Sequence, residues 1–266
     1  MDRLPASAGW QWIKQGMALF RKQPFEMSAL FLSYVFLMFA FGIIPLIGQI
    51  LPMVLVPVFT MAFMQACVSI ERGTKVYPTM LLYGFRSPAF RRLLLLGSLY
   101  IVAALLAIGA STLVDGGVFW KITTGQAAVD PETVRGSNIT MAMLFAALVY
   151  TPAAMGFWYA APLIAWHDMG VGKAIFYSFF SVKRNGRAFL TYALSWAGVG
   201  ILLPAIAGSV LGLLFGRSTV MMLFLLPLSL VMTVIMYCSF YPNFTDVFGP
   251  PAKALSDDRP SDRPSP

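Results

Sequence analysis

The chain has 266 residues, of which 58% are apolar and 11% charged, and it carries a net charge of +8. Soluble domains run about 45–50% apolar and about 25% charged. These values, with a mean hydropathy of +0.74, exclude an ordinary water-soluble globule and a disordered chain, and argue against a nucleic-acid partner.

The first element is an amphipathic segment within residues 1–25. At 100° per residue, Trp10, Trp12, Ile13, Met17, Leu19 and Phe20 share one half of the helical wheel, and Gln11, Lys14, Gln15, Arg21 and Lys22 the other. That division predicts a helix in the headgroup plane, with Trp10, Trp12, Lys14, Arg21 and Lys22 as interfacial anchors. Ser7 suits its N-cap, and Pro24 closes it. A structural elbow that sets the entry angle of the next helix outweighs lipid or partner recognition, because amphipathicity marks an interface without naming its ligand. No cleavable leader is expected, since the segment before Met27 is too polar and aromatic for a signal-peptide core.

Stretches free of Asp, Glu, Lys, Arg and His follow at Met27–Ile70, Leu93–Val114, Gly136–Trp166, Ala188–Gly216 and Ser218–Thr245. A helix rises about 1.5 Å per residue and the hydrocarbon core is about 30 Å thick. The first stretch is therefore two spans, broken at Ile44–Gln49 with Pro52 just beyond. Six spans are predicted at 27–46, 50–70, 93–114, 140–166, 189–215 and 219–241, forming one membrane domain over 26–241. Residues 242–266 read as a disordered tail rich in Pro, Ser, Asp and Arg. The loop from Asp115 to Asn138 is too short for a catalytic domain.

Alternate connections face alternate sides. Sixteen of the nineteen Lys and Arg residues then share a side with both termini, and only Lys121, Arg135 and Arg217 lie opposite. The positive-inside rule predicts cytoplasmic N and C termini and assigns the net charge to anionic lipid headgroups.

The segments Trp12–Ser33, Tyr77–Ser98 and Ala174–Ser195 share a form: a short helix, a basic turn, then a span. They suggest three parallel helix-hairpin units. Cys67 and Cys238, at similar depths in spans 2 and 6, read as small packing residues in a reducing compartment.

Chemistry is sparse. His167 stands at the end of span 4 beside Asp168 and reads as a boundary residue. Glu26, Glu71, Asp168 and Asp246 lie near span ends, where pairing with Arg or Lys, or hydration, accounts for them. No ionisable side chain falls at mid-span, which argues against a proton relay. The mid-membrane polar group of note is Gln65, for which an interhelical hydrogen bond outweighs a substrate contact. In span 5, Gly200, Pro204, Gly208, Gly212 and Gly216 recur every fourth residue. Such a run predicts a helix-packing groove, more readily within the monomer than between copies. No catalytic, cofactor or metal site is predicted.

The run 9–24 (Gly-Trp-Gln-Trp-Ile-Lys-Gln-Gly-Met-Ala-Leu-Phe-Arg-Lys-Gln-Pro), Ile70-Glu71-Arg72-Gly73 and Leu82-Tyr83-Gly84-Phe85-Arg86 together resemble a family of bacterial inner-membrane proteins of unknown function. The resemblance implies the inner membrane as location, and supplies no substrate or catalytic residues. The sequence thus predicts an all-α polytopic bundle of six transmembrane helices with interfacial helices. It would be a non-enzymatic scaffold, assembly or envelope-maintenance component. Its expected partners are anionic lipid headgroups and a membrane protein or second copy, not nucleic acid. The alternative is a carrier or channel for a small uncharged solute.

Overall fold

The structure is a computed structural model that describes residues 3–44, 47–126, 137–215 and 221–251. Among the described residues, six helices are long and apolar enough to cross a membrane: Pro24–Gly42, Ile50–Glu71, Phe90–Asp115, Ile139–Trp166, Gly186–Leu214 and Leu223–Phe248. Most begin before the predicted bounds, and the cause is charge placement. Glu26, Arg91, Arg92 and Arg187 sit in first helical turns, where their heads reach polar surroundings while the backbone is already helical. Counting uncharged residues clips those turns.

In chain order the described helices are α1 (Ala8–Lys22), α2 (Pro24–Gly42), α3 (Ile47–Glu71), α4 (Tyr83–Arg86), α5 (Phe90–Asp115) and α6 (Val118–Thr123). They continue with α7 (Ile139–Phe157), α8 (Ala160–Trp166), α9 (Val171–Arg184), α10 (Gly186–Ala197), α11 (Leu203–Phe215) and α12 (Leu226–Phe248). Ser7 does not cap α1. It already has helical φ and ψ, and its side chain makes no cap hydrogen bond. Pro24 does separate α1 from α2, through a non-helical Gln23. The fourth span is α7 and α8 joined by a break at Trp158–Tyr159. Pro162 has no N–H to return to the Trp158 carbonyl. The Tyr159 N–H is taken instead by Ser178 Oγ at 2.9 Å, and that hydroxyl donates to Met155 O at 2.8 Å.

The last helix runs past Tyr241 to Phe248, so the first residues of the predicted tail, 242–248, are helical. Asn243 and Phe244 are fully buried, and Gly249 ends the helix with φ +83. Residues 252–266, the rest of the predicted tail, lie outside the described residues.

Helix α3 is the axis of the bundle. Its apolar window is 72% buried, against 0% for that of the fifth span. Small residues let its neighbours close in. An added Cβ at Gly97 of α5 would overlap the Val54 carbonyl oxygen, and one at Gly84 the Val58 carbonyl oxygen. Around α3 the core is aromatic: Phe63 stacks on Tyr237 at 4.4 Å, and Tyr34 meets Phe59 edge-on at 5.2 Å.

The segments preceding the odd spans differ. The first and third carry helices α1 and α9, whereas the second carries a 3₁₀ turn over Pro78–Leu82 followed by the four-residue α4. A threefold repeat is not shown.

Candidate functional site

The ends of the spans that carry most of the positive charge are fastened together by polar bonds between distant segments. Trp12 Nε1 donates to Asp246 Oδ2 at 2.8 Å, joining α1 to α12. Tyr241 Oη donates to Glu71 Oε2 at 2.7 Å, joining α12 to α3. Gln23 clasps the chain beyond α3, donating to Thr74 O at 2.7 Å and accepting from Val76 N at 3.0 Å. Arg92 pairs with the Asp168 carboxylate and donates to Met169 O at 3.2 Å. Three of the acidic residues near span ends therefore have partners, but two of these are Trp and Tyr donors that counting charges does not reveal. His167 lies beside Phe244 and Phe248, with ring centroids at 6.0 and 6.4 Å, and this desolvation lowers its pKa below the ordinary 6.5.

The predicted anchors of α1 divide into two groups. Trp10, Lys14, Arg21 and Lys22 are exposed, and the Lys14 ammonium lies 5.7 Å from the Trp10 ring centroid. Trp12 is different: it is completely buried within protein, edge-on to Phe189 at 5.5 Å and Tyr192 at 5.7 Å. The apolar side of α1 docks on α10 and α12, not on lipid. Gly9 and Gly16 allow this, because a Cβ at either would overlap Ala188 and Tyr192 backbone or Ser239. The signal was present in the sequence as two glycines seven residues apart beside Trp12, which places them on one face.

Gln65 is half-buried on α3. Its Oε1 is buried and has no hydrogen-bond partner among the described residues, so the expected interhelical bond to that atom is not formed. The span-5 residues differ in their surroundings within the chain. A Cβ at Gly200 would meet nothing within 4 Å, whereas one at Gly208 would meet Leu225 at 3.4 Å. Pro204 and Gly212 are half-buried, and Gly216 lies outside the described residues. The reason is a π-helical turn over Gly198–Leu202, whose wider turn shifts the angular phase that a spacing of four assumes. Cys67 on α3 and Cys238 on α12 are both free and buried.

Two cavities stand out. The first is an aromatic cleft of about 360 Å³ within the spans, lined by Tyr100, Tyr150, Trp158, Tyr192, Tyr237 and Phe240 among others. Its hydroxyls are largely engaged: Tyr192 lies 2.6 Å from Ser239 Oγ, and Tyr100 donates to Phe157 O at 3.3 Å. Such a wall can hold an apolar or flat molecule and offers no acid–base pair. Gln65 is not among its lining residues.

The second is a pocket of about 840 Å³ where the N-terminal segment meets the α9–α10 junction, lined by Arg3, Lys183, Arg184 and Arg187. Asn185 fixes its shape. That residue is 6% exposed, accepts from Leu4 N at 3.1 Å and donates to Ser181 O at 3.0 Å, so it pins the two walls together. Positive-charge counting includes all four cations, but linear spacing does not show that Arg3 joins the other three. No group of three or more His, Cys, Asp or Glu side chains is arranged to hold a metal ion among the described residues.

The chain is 38% identical over 253 residues to a probable inner membrane protein of Burkholderia thailandensis, and the match spans 92% of each chain. The protein belongs to that inner-membrane family. No family model and no solved structure matches it. With its six apolar helices, this family member is a multi-pass protein of the inner membrane.

Proposed function

We propose that this inner-membrane protein works through contacts with lipid and with membrane proteins, as a scaffold or assembly component of the envelope, and not as an enzyme. The observation that carries this reading is the filled centre of the bundle. Along α3, Met61, Ala62, Phe63, Met64, Ala66 and Cys67 are all at most 1% exposed. Side chains this fully covered leave no hydrated path along that stretch of α3. The fifth span supports the same reading from outside, because it turns large apolar residues such as Ile201, Ile206 and Leu213 outward. The lysine and arginine distribution orients the basic end, and with it both termini, to the cytoplasm.

A second reading, a carrier for a small uncharged solute, draws on the aromatic cleft. Proteoliposomes separate the two. Under the contact reading, glycerol and urea enter protein-containing and protein-free vesicles at the same rate in stopped-flow light scattering. In native membranes, a photoreactive residue at Ile206 then gives a saturable adduct with a second membrane chain. Saturable, protein-dependent solute flux would overturn the contact reading in favour of the carrier.

A further inference from the structure

We infer that the pocket between the N-terminal segment and the α9–α10 junction binds the phosphate group of an anionic phospholipid, an inference that rests on the reading of this protein as one that works through membrane contacts. Four cations, Arg3, Lys183, Arg184 and Arg187, line one cavity, and among the described residues no acidic side chain lines it. None of the four forms an ion pair among the described residues. Like charges gathered without a counter-ion repel one another, so an arrangement held in place by buried Asn185 is complementary to an anion that arrives from outside. Arg guanidinium groups match phosphate oxygens in pairs.

The neighbouring surface decides where the phosphate comes from. Helix α9 buries Ala174, Ser178 and Val182 against the bundle and leaves Phe176, Tyr177 and Phe180 outside, at 59%, 46% and 49% exposure. Phe176 and Phe180 lie 4.6 Å apart, and Phe180 itself lines the basic pocket. An aromatic face beside a basic one, at the entrance to the fifth span, is the surface of a helix lying at a lipid boundary. A soluble anion uses only the cations. A phospholipid uses both faces, its phosphate among the cations and its acyl chains against the phenylalanines.

The test uses the full chain in neutral detergent, with phosphatidylglycerol, phosphatidylcholine and inorganic phosphate as probes in native mass spectrometry. Wild-type protein is expected to retain phosphatidylglycerol under conditions that strip phosphatidylcholine. Lys183→Gln/Arg184→Gln/Arg187→Gln should weaken retention about tenfold or more, since each cation beside anionic lipid contributes roughly a factor of five, whereas Lys75→Gln/Arg86→Gln/Arg91→Gln should change it less than about twofold. Arg184→Lys/Arg187→Lys keeps the charge, controls for folding and should bind within a few-fold of wild type. Equal loss in both glutamine variants overturns the site, as does wild-type indifference between the two lipids; the contact reading fails separately, by solute flux. Displacement of phosphatidylglycerol by millimolar inorganic phosphate assigns the pocket to a soluble anion and overturns the lipid.

Discussion

The indole N–H of Trp12 donates to the carboxylate of Asp246 at 2.8 Å, across 234 positions of sequence, and so fastens the first helix of the chain to the last. Around it, Trp12 packs on Phe189 and Tyr192 of α10. One side chain thus joins the segment before the first span to the start of the fifth span and the end of the sixth.

Trp12→Phe keeps an aromatic ring and removes the donor. A hydrogen bond to a charged group contributes about 1.5–3 kcal/mol, so the variant should melt at lower temperature in detergent. Asp246→Asn, which retains an acceptor oxygen, should lose less. Trp12→Ala also empties the space between α10 and α12 and should cost about 3–5 kcal/mol. Were Trp12 a lipid anchor, Trp12→Phe would leave detergent stability unchanged.

The spans were legible because the bilayer imposes a length on any apolar helix, and Asp, Glu, Lys and Arg mark where that length ends. Their partners were not legible. Amphipathicity says that the Trp12 face of α1 is buried, but lipid and protein are equally good at burying it. Only the flush contacts at Gly9 and Gly16 decide for protein. The span-5 stripe is a related case: spacing of four keeps residues on one face only along an unbroken α-helix, and the turn at Gly198–Leu202 is π-helical. The basic pocket needed Arg3, brought to Arg184 by an Asn185 bond that no local pattern announces.

His167 provides a pH dependence with a defined sign. Burial beside Phe244 and Phe248 lowers its pKa in the folded protein. The unfolded chain then takes up the proton more readily, so the contribution to stability is complete above the ordinary value near 6.5 and is lost as pH falls through the lower, folded value. The melting temperature of His167→Gln should therefore fall less than that of wild type between about pH 7 and about pH 5.5. The difference is small, because the ring is largely exposed. Parallel curves for the two proteins would remove His167 from the account.

Orientation is tested by placing single cysteines at Ser137 and Ser261 in a Cys67→Ala/Cys238→Ala background. The charge asymmetry predicts Ser137 on the periplasmic side and Ser261 in the cytoplasm. An impermeant maleimide added to intact spheroplasts should label only the cysteine at 137, with both labelled after lysis. Labelling at 261 before lysis would reverse the topology and, with it, the leaflet that supplies lipid to the basic pocket.

Two glycines test where the helices truly meet. Gly97 of α5 lies flush against α3, where an added methyl group would overlap the Val54 carbonyl oxygen and crowd the Val54 backbone behind it. That neighbour is main chain in the centre of the bundle and cannot rotate aside. Gly97→Ala must therefore push α5 away from α3, and overpacking of this kind costs about 1–3 kcal/mol. Gly200, at the predicted small-residue stripe, has nothing within 4 Å of the same added group. There the substitution removes backbone freedom from the unfolded chain without a clash, so Gly200→Ala should be neutral or stabilising by up to about 1 kcal/mol. Detergent melting temperatures of the two variants should move in opposite directions, or only that of Gly97→Ala should move. If Gly200→Ala lowers crosslinked oligomer yield in native membranes while leaving the melting temperature intact, a second chain approaches at Gly200. If Gly97→Ala is harmless, α5 does not press on α3 as described and the packed axis of the bundle is lost with it.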